Sequence, residues 1–157
     1  MIFVATGTHH QPFDRLVRAA DAIAHDLGEP LVVQRGPSRV PVRGEAPEVV
    51  DPARFEALLR EARVVVLHAG SSSFLQARAL GRRPIVVPRR PEHGEHVDDH
   101  QLRFARALSP DEAVVVEVEQ LESAIRDHRE DRGAPPVDRS FAFCDRFGPL
   151  VDALVRR

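Results

Sequence analysis

Five short apolar runs, at residues 2–5, 31–33, 64–67, 85–87 and 113–116, alternate along this chain with stretches whose apolar residues mostly recur at helical spacing. Runs that brief and uninterrupted suit strands buried on both faces. Alternation with helices favours parallel pairing, since each parallel return requires a crossover. The expected fold class is α/β, a Rossmann-like three-layer parallel sheet. The run Val64-Val65-Val66-Leu67 carries the most information. It passes through His68-Ala69-Gly70 into Ser71-Ser72-Ser73, after which Phe74, Leu75, Ala77 and Leu80 follow a helical stripe. Gly70 permits a sharp turn, the serines are expected as helix N-caps, and the first free N–H groups of the new helix suit a phosphate.

The same patterning predicts a first helix over 13–27, with Phe13, Leu16, Val17, Ala20 and Ile23 on one face and Gly28 closing it. Residues 34–52 read as an adjustable surface loop before a short helix at 53–61. Pro88 ends the fourth strand. A polar, turn-rich stretch at 89–96 precedes a helix over 97–107, and another helix is expected near 121–128. Beyond Gly133-Ala134-Pro135-Pro136, a helical tail at about 138–157 carries Phe143, Phe147, Leu150, Val151 and Leu154, with a kink at Pro149. Residues 1–157 read as a single domain.

The charge balance removes several function classes. Lys+Arg total 22, all arginine, against 24 carboxylates, so a net charge of −2 offers no basic field for nucleic acid or an anionic membrane. The single cysteine, Cys144, has no internal disulfide partner and reads as a small core residue. Met1 leads directly into the first strand, and no apolar run approaches the roughly 20 residues of a membrane span. The expected location is the cytoplasm. With tryptophan and tyrosine absent, no sugar can stack on indole.

In an open parallel sheet, ligands bind beyond the carboxyl ends of the strands, here loops 6–12, 68–73 and 88–101. The first, Thr6-Gly7-Thr8-His9-His10, brings glycine amides close to a ligand but lacks GxGxxG and the phosphate-loop lysine. That disfavours an ordinary dinucleotide fold and a nucleotide triphosphatase. Gly7 reads equally well as a residue that permits a tight turn. The segment Glu95-His96-Val97-Asp98-Asp99-His100-Gln101 mixes carboxylates, imidazoles and a carboxamide, a set that both donates to and accepts from sugar hydroxyls. Asp98 or Asp99 alternatively caps the following helix. His93, His96 and His100 have metal-ligand spacing only on a helix, which Pro91 and Gly94 oppose, so no metal site is expected. The serines after Gly70 do not form GxSxG.

The segments MIFVATGTHHQPFDRLVRA, VVVLHAGSSSFLQARALGRRPIVVPRR and GEHVDDHQLRFARAL, in order over roughly residues 1–108, resemble the donor-binding half of glycosyltransferase family 28. Small stand-alone subunits of two-component enzymes, serving exopolysaccharide or dolichol-linked oligosaccharide synthesis, are the most similar. The resemblance implies one half of a GT-B architecture that binds a nucleotide sugar, usually UDP-linked (UDP-GlcNAc or UDP-glucose), and transfers a hexosyl group. It places Gly7, Thr8, Gly70, Ser71 and Ser72 at the donor diphosphate. His96, Asp98, His100 and Gln101 fall at the donor sugar. The family's ribose-binding acid falls at Gln76, a departure, because a neutral carboxamide replaces an anion that accepts from both ribose hydroxyls.

Amides at residues 71–73 and at Gly7 and Thr8 would stabilise the leaving diphosphate without a metal. His9 is the candidate general base, with His10 beside it. No cofactor is expected, the nucleotide sugar being a substrate. The implied partner is a membrane-associated acceptor-binding subunit that recruits the chain to the inner face of the membrane. Homodimerisation of the isolated chain stays open. A non-catalytic nucleotide-sugar-binding module and, more weakly, a metal-dependent hydrolase using His93, His96 and His100 are the alternatives.

Overall fold

A computed structural model of the chain describes residues 1–128. The expected tail at 138–157, with Cys144, Phe143, Phe147 and Pro149, lies outside the described residues. Five parallel strands, β1 (Ile2–Ala5), β2 (Leu31–Gln34), β3 (Val64–His68), β4 (Ile85–Val87) and β5 (Val114–Val115), form one sheet in the order β2-β1-β3-β4-β5. Pairing is in register throughout, Phe3 lying between Val32 and Val65. The helices are α1 (Asp14–Leu27), α2 (Pro52–Glu61), α3 (Ser71–Ala79), α4 (His100–Ala107) and α5 (Leu121–Asp127).

Alternation along each strand supplies a core on each face of the sheet, with a further cluster of Ala69, Phe74, Val86, Ala105 and Ala113. Ile2, Val4, Val64, Val66, Ile85 and Val87 face α1 and α5, while Phe3, Ala5, Val65 and Leu67 face α2 and α3. Every residue of β1, β2 and β4 is buried, which explains the uninterrupted apolar runs. Gly28 closes α1 in the left-handed region at φ 64°, where its N–H and that of Glu29 reach the carbonyls of His25 and Ala24. Asp51 caps α2 by accepting from the Arg54 N–H, with Pro52 at the first helical position.

Three expectations change. α3 is capped by Gly70 and not by a serine, and Leu75 is 38% exposed, so the stripe narrows to Phe74, Ala77 and Leu80. The fourth helix starts at His100, three residues later than the periodicity indicates, because the polar segment ahead of it is held as a loop by its own side chains. The segment 34–52 is anchored. Val33, Arg35 and Gly36 donate to the carbonyls of Glu45, Pro47 and Glu48, so 45–48 runs along the free edge of β2. Ser38 Oγ accepts from the Phe13 N–H at 2.8 Å, supplying from this loop the cap that α1 lacks in its own sequence.

Candidate functional site

Strand order reverses direction between β1 and β3, and the turns leaving these two strands diverge to open a crevice. A cleft of about 640 Å³ lies there. Gly7, Thr8, His9, Gly70, Ser71, Ser72, Gln76, His96, His100 and Gln101, all marked in the sequence, line it together. Asp98 does not line it. Its carboxylate instead accepts from the His100 N–H at 3.0 Å and contacts His100 Nδ1 at 2.6 Å, so it shapes the loop behind the lining imidazoles. Asp99 occupies the cap position of α4 but makes no side-chain cap bond; it pairs with Arg103 one turn on.

The amide end of the cleft is built by β3 running into α3. With glycine as N-cap and no side chain capping the helix, the N–H groups of Ser71, Ser72 and Ser73 find no acceptor among the described residues. Ser73 Oγ turns back to the Gly70 carbonyl, and Gln76 Nε2 donates to Ser72 Oγ at 3.4 Å. A helix of nine residues thus presents uncommitted donors and the positive end of its dipole to the crevice.

His68, read in the sequence as the start of the loop 68–73, is the last residue of β3 and lies between the two glycines. A Cβ on Gly7 would come within 2.6 Å of His68 Nε2, and one on Gly70 would overlap the same atom. Gly7 is also at φ 85°, so both its backbone and its lack of a side chain are required. The His68 Nδ1–H donates to the Ala5 carbonyl at 3.2 Å. Burial, reinforced by the nearby Arg89 cation, pushes the His68 pKa down to about 4. The ring is therefore neutral at pH 7, and Nε2 keeps a lone pair.

At the other end, four imidazoles form a chain. Ring centroids are 4.3 Å apart for His9 and His10, 4.3 Å for His9 and His96, and 4.4 Å for His96 and His100. Desolvation, followed by repulsion from neighbouring imidazoles, lowers the pKa of His9 and of His96; the Asp98 carboxylate opposes the shift at His96. Imidazoles in contact offer several ring nitrogens as hydrogen-bonding partners for hydroxyl groups. The set His93, His96 and His100 of the hydrolase alternative does not come together. His93 sits in a separate 3₁₀ turn at Pro91–His93, and the described residues bring His96, Asp98 and His100, without it, within 4.8 Å of one another.

Sequence reasoning missed the third wall, made by Gln34, Val49, Val50, Pro52 and Phe55. Gln34 was legible as the residue at the carboxyl end of β2. Val49 and Val50 needed the tertiary fold, because their place in the cleft follows from 45–48 pairing along β2. Arg89 was also missed. It is 0% exposed and donates to the carbonyls of Thr6 (2.7 Å), Gln11 (2.6 Å) and Glu95 (2.8 Å), while Gln101 Oε1 accepts from its backbone N–H. One guanidinium thereby ties the loop at 6–12 to the loop at 88–101.

The depressed His68 pKa sets a stability trend. The unfolded chain takes up this proton near pH 6.5 and the folded chain only near 4, so the native state binds fewer protons in that window and loses stability as the pH falls through it. Asparagine at 68 retains a donor for Ala5 but does not titrate. His68→Asn is expected to lose less stability than wild type between pH 7 and 4.5, by something on the order of 1–3 kcal/mol. Urea midpoints at the two pH values measure this, and equal slopes would refute it.

Comparison with known proteins agrees with this geometry. The glycosyltransferase family 28 C-terminal domain matches residues 1–136. Among solved structures, the glycosyltransferase SnogD from Streptomyces nogalater is similar in fold, with a TM-score of 0.57 and 20% identity over 85% of this chain. The chain spans about a third, 35%, of that protein's length. No curated protein is significantly similar in sequence.

Proposed function

The chain belongs to the glycosyltransferase family 28 C-terminal domain family, and from that premise we propose that it is the donor-binding component of a hexosyltransferase that uses a UDP-linked sugar. The observation carrying this reading is the set of uncommitted amides at Ser71, Ser72 and Ser73, aimed into the crevice where strand order reverses. In this reading the donor diphosphate lies against these amides and the turn at Gly7 and Thr8. The apolar wall of Val49, Val50, Pro52 and Phe55 receives the planar base, and Gln76 faces the ribose. The hexose lies toward His96, His100 and Gln101, whose rings and carboxamide meet its hydroxyls; Asp98 fixes His100 from behind.

The chemistry that follows is stabilisation of the leaving group. As the glycosidic bond to the diphosphate breaks, negative charge grows on its oxygen. Preoriented N–H groups at a helix start meet that charge without reorganising. His9 stacks on His96 and has a lowered pKa, and in this reading it takes the acceptor's proton. The acceptor and its binding half come from a membrane-associated partner that brings this chain to the cytoplasmic face. The tests are UDP and UDP-sugar binding to the full chain by calorimetry, then UDP release with the partner and a lipid or polysaccharide acceptor. Release no faster than with the partner alone would remove the transferase reading. Binding without turnover would leave the non-catalytic module, which the neutral Gln76 favours.

Gln76 also offers a gain-of-function test. Its carboxamide is exposed, and among the described residues it bonds to Ser72 alone. Gln76→Glu is expected to tighten UDP binding about three- to tenfold, since a carboxylate accepts from both ribose hydroxyls and charge-assisted bonds are stronger. Calorimetry showing unchanged or weaker binding would displace the ribose from this position.

A further inference from the structure

Among the described residues no arginine lines the cleft, although every one of the 22 basic residues is an arginine. A diphosphate bound there meets amides, hydroxyls and imidazoles, and no arginine of the described residues lines its place. The cation that the fold brings near is Arg89, with no exposure to solvent, stacked at 5.2 Å on the Phe13 ring. Its own hydrogen bonds go to carbonyl oxygens, those of Thr6, Gln11 and Glu95. Glu95 makes no ion pair with it, because that carboxylate is engaged by Arg15 and by the Arg90 N–H, and it favours the Arg89 cation only through its nearby charge. A buried charge without an ion pair is costly and is not needed merely to join loops, which a neutral donor could do.

The position of this charge indicates what it serves. Thr6 precedes the Gly7 turn, Glu95 precedes the lining residue His96, and Gln101, itself a lining residue, accepts from the Arg89 N–H. The charge lies close enough to the cleft imidazoles to disfavour protonation of His9, His68 and His96. Resting on the donor-binding reading above, we propose that Arg89 is a positioning residue that also acts electrostatically. It ties two of the cleft loops, 6–12 and 88–101, together and supplies, from behind them, the permanent positive field that an anionic diphosphate requires. Held at fixed geometry in a poorly solvated site, such a charge acts at longer range than a solvated surface arginine.

The experiment compares UDP, uridine and inorganic pyrophosphate binding to the full chain by calorimetry, in wild type, Arg89→Gln and Arg89→Lys. In Arg89→Gln, affinity for UDP and pyrophosphate is expected to fall about tenfold or more, while affinity for uridine stays within about twofold. Arg89→Lys keeps the charge and is expected to hold the UDP-to-uridine ratio within about threefold of wild type. If Arg89→Gln does not fold, Arg89→Met, which keeps apolar contact with Phe13, replaces it. Parallel loss of UDP and uridine in the neutral variant reduces Arg89 to a strap and overturns the proposal, as does an unchanged ratio. If wild type binds pyrophosphate but not UDP, the donor reading fails while the Arg89 comparison is read on pyrophosphate. If it binds none of the three, both fall.

Discussion

Gly36→Ala is expected to lower the unfolding free energy by about 2–4 kcal/mol and to abolish the proposed UDP binding, although Gly36 does not line the cleft. The cause lies in two backbone segments that touch. Gly36 sits at φ 54°, and a Cβ there would overlap the carbonyl oxygen of Gly7, a backbone atom with no rotamer to adopt. Left-handed alanine alone costs roughly 1–2 kcal/mol. The remainder comes from forcing apart the Gly7 turn and the end of β2, which Thr6 Oγ1 holds together by donating to the Arg35 carbonyl at 2.6 Å. Displacing Gly7 moves the first loop away from His68 and the serine amides. Urea unfolding gives the stability change and calorimetry the binding. A loss under about 1 kcal/mol with binding retained would show that this contact is not tight.

The second large effect separates binding from stability. Gly70→Ala is expected to cost at least about thirtyfold in UDP affinity while changing stability by less than about 1 kcal/mol. Gly70 has φ −93°, which alanine adopts without strain, so the backbone is not the obstacle. The added Cβ overlaps His68 Nε2, the far end of a side chain, and the ring must leave its bond to Ala5 and swing into the cleft. There it occupies the space in front of the α3 amides. Released from burial, its pKa should rise toward 6.5, which an NMR titration of the imidazole reads independently of any ligand. Retained UDP affinity together with an unmoved His68 pKa would refute this account of why Gly70 is glycine. Gly7→Ala is harsher, because its φ of 85° adds backbone strain to the same clash.

These glycines illustrate what could be read before the fold was known. Patterning located all five strands and nearly every residue of β1 and β4, since strands buried on both faces carry apolar residues regardless of their neighbours. It also located the three carboxyl-end loops, and ten of the marked residues converge on one cleft. The reason for Gly7 and Gly70 was not legible. Approach to a ligand and a tight turn were the sequence-level explanations, whereas the structure shows room made for one imidazole from two loops. Asp98 looked like a cleft residue and is a support for His100, a distinction of orientation that composition does not encode. The serines looked like caps, yet glycine in the cap position leaves their amides uncommitted.

By itself the sequence determined the parallel α/β class, the strand-to-helix turn at Gly70 and the family resemblance. Each rests on local periodicity or on short residue strings, which act over one or two turns of chain. The tertiary structure alone decided the strand order that opens the crevice, the pairing of 45–48 along β2 that brings Val49 and Val50 to it, and the burial of Arg89 between the loops at 6–12 and 88–101. The physical reason is sequence separation. Arg89 reaches Thr6 across 83 positions and Gln11 across 78, and contacts between such distant residues exist only once the sheet has chosen its order.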